Sequence, residues 1–256
     1  MEKKDNTPQR IRIVVATHKP YRMPEDSVYL PLHTGAAGHA DIGFRRDDDG
    51  ENISGRNANW CELTGLYWAW RNLNADAVGL VHYRRHFRGA HGIATGGEIV
   101  AALSAHDIIL PTKRNYFIET TYSQYAHAHH AEDLDLTRLI LTERHPRFVR
   151  AFDEVMRSRK GHRFNMFVMK RPIFDRYCEW LFDVLFELER RLDTSGYSAY
   201  DARVFGFVAE RLLDVWLAES GPYSIAEMGV VHLEGQRWPV KIARFLLRKF
   251  RARCRP

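Results

Sequence analysis

The chain has 256 residues, 45% hydrophobic and 12% aromatic, enough apolar material to bury one full core, so a single compact α/β domain is expected. The formal net charge of +6 suggests a nucleic-acid binder until it is mapped. Arg237 to Pro256 holds eight Lys or Arg and no acid, and taking these from 38 leaves 30 basic against 32 acidic residues, which excludes a basic body and assigns any anionic partner to the C-terminal tail.

Cys61, Cys178 and Cys254 lie far apart with no Cys-x-x-Cys; a disulfide framework or thiolate zinc site is not expected, and a reducing cytoplasm fits. The N-terminal MEKKDNTPQR is polar, and no stretch approaches about 18 consecutive apolar residues, so neither an export signal nor a membrane span is expected.

Ile11 to Ala16 is a short β-branched run that ends in Thr17-His18-Lys19-Pro20, as a buried parallel strand does at a loop. A loop rich in Gly, Asp and Asn follows over 36–57. Asn59 and Glu62 then read as a capping box for a helix to about Leu73, with Leu63, Leu66, Tyr67, Trp70 and Leu73 at helical spacing. Ala77 to Val81 is a second central strand, and Asp107 to Leu110 a third, stopped by Pro111. Helices are predicted over 135–143 and 146–156, and a strand over 164–169. Pro172 opens a long amphipathic helix to about Arg191, and Ser198 with Asp201 suggests a capping box before a helix to about Leu217. This alternation predicts an α/β sandwich with a largely parallel sheet.

The second strand runs directly into His82-Tyr83-Arg84-Arg85-His86. Ligands of open α/β sheets bind beyond the carboxyl ends of strands. Two arginines with histidine and tyrosine there supply fixed positive charge and several donors, the chemistry that holds a diphosphate and stabilises it as a leaving group. A metal-dependent nucleotide-sugar enzyme would place an Asp-x-Asp at such a junction, and this loop has no carboxylate. Surface ion pairing of Arg84 and Arg85 is the plainer alternative.

Two further clusters attract attention. His127, His129, His130 and Asp133 are the densest set of metal-ligand types and motivate a metal-dependent hydrolase as an alternative, although no His-Glu-x-x-His is present; an acceptor-side role or a surface location is favoured. Asp47 to Asn52 resembles a cation loop but lacks the spacing of an EF-hand and reads as a solvated turn.

The stretches VVATHKPYRMP, YLPLHTGAA, DDDGENIS, NWCELTGLYWAWRNL, GLVHYRRHF, FNMFVMKRPIFDRYCEWLFDVLFELE and RVFGFVAERLLDVWL, in order from about Ile11 to Leu217, resemble the bacterial capsular and exopolysaccharide synthesis glycosyltransferase family long known only as a domain of unknown function (DUF4422). The resemblance implies a single GT-A-like domain over 10–237 with a mostly parallel sheet flanked by helices. It also implies an inverting, metal-independent sugar transfer from a UDP-linked donor, galactofuranose in characterised relatives, with no cofactor beyond the nucleotide-sugar co-substrate. The acceptor would be a lipid-linked polysaccharide at the inner face of the cytoplasmic membrane.

In such a fold Thr17, His18 and Lys19 are donor-site candidates by position, and His82, Tyr83, Arg84 and Arg85 contact the diphosphate. Inversion needs a base for the acceptor hydroxyl. Asp201 and Glu210 are the candidates, although capping alone would account for Asp201 and pairing with an arginine for Glu210. His129, His130 and Asp133 are acceptor-side candidates, and no metal ligands are assigned. Residues 238–256 alternate Ile242, Phe245, Leu246, Leu247 and Phe250 with basic residues, the pattern of a helix on an anionic membrane; docking on another synthesis protein is the alternative. A non-catalytic nucleotide- or glycan-binding module remains a third reading of the chain.

Overall fold

The structure, a computed structural model, describes residues 10–234; the basic tail expected over 238–256 lies outside them. Strands β1 (Ile11–Thr17), β2 (Tyr29–His33) and β3 (Arg45–Arg46) precede helices α1 (Asn57–Trp60) and α2 (Leu63–Asn72). Next come β4 (Ala77–His82), β5 (Arg85–Gly89), β6 (Gly92–Ile93), α3 (Gly96–Ala105), β7 (Ile108–Pro111) and β8 (Arg114–Asn115). Helices α4 (Thr121–Ala126), α5 (Glu132–Arg144) and α6 (Val149–Arg157) lead to β9 (Lys160–Gly161) and β10 (Phe167–Lys170). The long helix α7 (Arg171–Arg191), α8 (Val204–Ser220), β11 (Ile225–Met228) and β12 (Val230–His232) follow.

The central sheet runs β11-β7-β10-β4-β1-β2-β3. All neighbours are parallel except β10, which is antiparallel to both β4 and β7. The carboxyl ends of the parallel strands and the segment entering β10 therefore meet at one edge. Alternation in the strands divides the core in two: Val14, Ala16, Val78 and Leu80 face α2, α5, α7 and α8, whereas Ile13, Val15, Ala77 and Val81 face α3. Gly65 lets α2 approach β2, because a Cβ there would stand 2.6 Å from the Thr34 methyl.

Four local expectations are corrected. Asn59 and Glu62 form no capping box: Asn59 lies within α1 and donates to the Ala202 carbonyl, and Glu62 accepts from Asn165. The strand expected from Phe164 starts at Phe167, because Phe164 and Asn165 take left-handed φ values of 76° and 50°. Helix α5 begins at Glu132, ahead of the expected Asp135. The turn over 47–52 is solvated only in part: Asp49, Gly50 and Glu51 are exposed, but Asp47 is fully buried and accepts from the Gly35 and Ala36 amides, and Asp48 pairs with Arg46.

Candidate active site at the carboxyl edge of the sheet

The His82–Arg85 segment is a hairpin. His82 pairs with Arg85 across a two-residue turn of Tyr83 and Arg84, and β12 extends the ribbon by pairing with β5. Arg84 thus projects at the turn beside the loop that follows β1. Tyr83 is buried under that loop, edge-on to His18 and Tyr21 at 5.5 and 4.9 Å, with the Lys19 ammonium 5.1 Å from its ring centre. Thr17 is buried too, and its hydroxyl is spent on the Lys19 carbonyl at 2.7 Å. His82 binds the Phe164 carbonyl through Nε2. Of the seven donor-side candidates, Thr17, Tyr83 and His82 therefore shape the floor, while His18, Lys19, Arg84 and Arg85 carry the donor groups.

Lys19, Arg84 and Arg85, with His18 among them, meet a fourth fixed cation from the other half of the chain. Arg203, just before α8, donates to Cys61 Sγ at 3.1 Å. His18 is held below the ordinary histidine range first by burial and then by Lys19, Arg84, Arg203 and His33. Such crowding makes a positive field that an anion would relieve. Burial and Arg84 likewise depress Arg85, whose guanidinium lies 4.4 Å over the Phe164 ring, while Glu210 and Glu62 oppose that shift. Glu234, exposed, lies 3.3 Å from Arg84 and 3.9 Å from Lys19.

Two carboxylates, Glu62 and Glu210, act on Arg85 from nearby. Glu62 accepts from Asn165 Nδ2 at 2.7 Å, and Glu210 lies 3.2 Å from Arg211. Burial and Glu62 push the Cys61 thiol up to about 11, so it is a neutral partner for Arg203. Cys61, Phe164 and Asn165 all adopt positive φ (53°, 76° and 50°). Non-glycine residues held there cost roughly 1 kcal/mol or more each, and such strain gathers at functional sites.

The acceptor-side candidates form a separate shelf. His129 packs between Tyr125, Tyr200 and Phe207, with Nδ1 3.4 Å from Asp201, and burial lowers its pKa to about 4. His130 stacks on Tyr197 at 4.0 Å. Asp133 accepts from the hydroxyls of Tyr125 and Tyr197, both at 2.7 Å, and His127 binds Glu119. His129 and His130 thus share Asp201, at 3.4 and 4.0 Å, while Asp133 and His127 have partners of their own, and no group of three or more His, Cys, Asp or Glu converges as a metal-ligand set among the described residues. Ser198 Oγ accepts from the Asp201 amide at 3.1 Å, the contact expected from a cap, and donates to the Asp201 carboxylate at 2.6 Å, but ahead of a short 3-10 turn rather than of α8 itself.

Sequence reasoning missed Arg203, Cys61, Asn165 and the site-facing role of Glu62. Arg203 was legible only as a neighbour of Glu210 on one helical strip; contacts such as Asn165 to Glu62, across 103 positions, leave no local signal.

The family described as "Domain of unknown function (DUF4422)" matches residues 12–221. No curated protein matches significantly. Among solved structures, the apo structure of the WbbM bifunctional glycosyltransferase is similar, at 30% identity and a TM-score of 0.80 over 89% of this chain. The match spans 46% of that protein's length. The sheet order, the antiparallel β10 and this likeness identify the fold as a GT-A-like α/β domain, and by its match over most of its length the chain belongs to the DUF4422 family.

Proposed function

We propose that the chain is a nucleotide-sugar-dependent glycosyltransferase in which fixed cationic side chains replace a bound metal at the donor diphosphate. The convergence of Lys19, Arg84, Arg85 and Arg203 around His18, from three segments on the carboxyl edge of β1 and β4, carries this reading: Lys19 and Arg84 share Glu234, Lys19 lies over the Tyr83 ring, and Arg85 closes the hairpin with His82. A diphosphate there displaces Glu234 from Arg84 and Lys19.

The acceptor oxygen attacks the anomeric carbon, and the bond from that carbon to the diphosphate oxygen breaks with its electron pair leaving on the diphosphate. Arg84, Arg85 and Arg203 stabilise the growing negative charge. Glu210, 3.2 Å from Arg211 and near enough for its charge to bear on both Arg85 and His129, takes the acceptor proton. Asp201, tethered by Ser198 and His129, positions the acceptor-side shelf. The donor is a UDP-sugar, with UDP-galactofuranose the first to test. The acceptor is a lipid-linked surface polysaccharide at the inner face of the cytoplasmic membrane, where the tail over 238–256 holds the protein peripherally.

UDP in the presence of EDTA should raise the melting temperature of the full chain, and Arg84→Ala combined with Arg85→Ala should remove the shift. Absence of any shift with UDP or other nucleoside diphosphates in the parent protein would overturn the proposal.

A further inference from the structure

Phe117 and Ile118 are the most exposed large apolar side chains among the described residues, at 75% and 62%. They form the tip of the turn after β8, and their exposure is built in rather than a consequence of slack chain. Asn115 Oδ1 accepts from the Phe117 amide at 2.8 Å, the Tyr116 carbonyl accepts from the Ile118 and Glu119 amides, and the Thr120 side chain caps α4 directly behind. Phe117 takes φ +60°, the fourth positive-φ non-glycine residue alongside the three of the candidate site. A bulky ring in that region is strained, so the fold pushes this side chain outward at a cost.

The ribbon that carries the tip is cationic. Strand β8 pairs with β9 through Arg114 with Gly161 and Asn115 with Lys160, and the Tyr116 amide binds the Arg159 carbonyl. Lys113, Arg114, Arg159 and Lys160 are all exposed. None makes an ion pair among the described residues, and segments 112–118 and 158–161 contain no carboxylate. Tyr116, at the base of the tip, is half-buried, and burial raises its pKa.

We propose that the β8–β9 ribbon is a membrane-contact element, with Phe117 and Ile118 entering the acyl-headgroup boundary of an anionic bilayer and the four cations meeting lipid phosphates. Apolar anchors ringed by Lys and Arg that are unpaired among the described residues match that interface in both polarity and charge, and no surface among the described residues covers them. The surface is distinct from the tail over 238–256 and does not rest on the transfer reaction.

The test places a reporter at the tip. Phe117→Trp in the full chain should show blue-shifted emission with phosphatidylglycerol vesicles, and brominated acyl chains should quench it beyond the quenching of the parent protein. Phosphatidylcholine vesicles should do neither. Reversing the four cations to Glu should weaken vesicle binding about tenfold or more, and Phe117→Asp with Ile118→Asp should abolish the tip's contribution at unchanged melting temperature. Vesicle binding without extra quenching of the Trp reporter would overturn the proposal, because contact elsewhere cannot reach that probe. Concentration-dependent self-association lost in the double Asp variant, with no lipid effect, would instead make the tip a contact between copies of the chain and overturn it equally.

Discussion

The carboxyl edge of the sheet and the His129–Asp133 shelf use the same side chains, histidine, carboxylate and tyrosine or arginine, and settle their charge in opposite ways. At the edge, Lys19, Arg84 and Arg203 crowd His18 and depress its pKa through positive charge added to burial, with exposed Glu234 as a loose partner of Arg84 and Lys19. On the shelf, Asp133 is satisfied by two tyrosine hydroxyls and His129 is enclosed by aromatic rings, its pKa lowered to about 4 chiefly by burial. Internal partners settle the shelf, whereas the edge keeps an excess of positive charge. Side-chain type alone therefore does not mark a binding site; the balance of partners does.

Glu210, whose charge bears on both Arg85 and His129, tests the comparison most severely. Glu210→Gln should lower kcat by about 10² to 10⁴ with UDP binding retained, while Asp201→Asn should cost less than about tenfold. Equal losses in steady-state kinetics would draw the shelf into the chemistry and break the contrast. A smaller effect is expected from Asp133→Ala, which leaves the hydroxyls of Tyr125 and Tyr197 without their acceptor. Urea unfolding should show a loss of about 3 kcal/mol, and calorimetry an unchanged UDP affinity; weakened UDP binding would couple the two regions.

The smallest effect is on pH. His129 titrates near 4 in the folded protein because of burial, against about 6.5 when unfolded. The unfolded chain thus binds more protons between those values, so the contribution to stability is complete above about pH 6.5 and is lost as pH falls toward 4. Stability should fall by about 1–2 kcal/mol from pH 7.5 to 5.0 on this account, and His129→Phe should flatten that part of the profile. An unchanged slope in the variant would show that the ring is not sequestered as described.

Much of the frame was legible in local pattern. The apolar runs of β1 and β4, the proline-opened α7 and the helix into α8 lie where periodicity and breakers predict them. The cationic junction after β4 was visible for the same reason, since a buried strand must end in polar residues. Strands β11 and β12 and the hairpin form of the junction escaped notice, because each is short and is stabilised by a partner far along the chain. Glu62 was misread as a cap because its spacing from Asn59 fits that motif, although its carboxylate meets Asn165.

The sequence by itself determined the α/β order of elements, the polar carboxyl edge and the presence of paired arginines there, because hydrophobic period and strand termination are local properties. Tertiary structure alone decided which of those polar groups kept free valence. Folding spent Thr17, His82 and Asp133 on internal hydrogen bonds, brought Arg203 and Cys61 together across 142 positions, and strained Phe164 and Asn165 into the turn that holds Glu62. Burial and charge balance are sums over all neighbours in space, and those neighbours exist only once the sheet has gathered its loops at one edge.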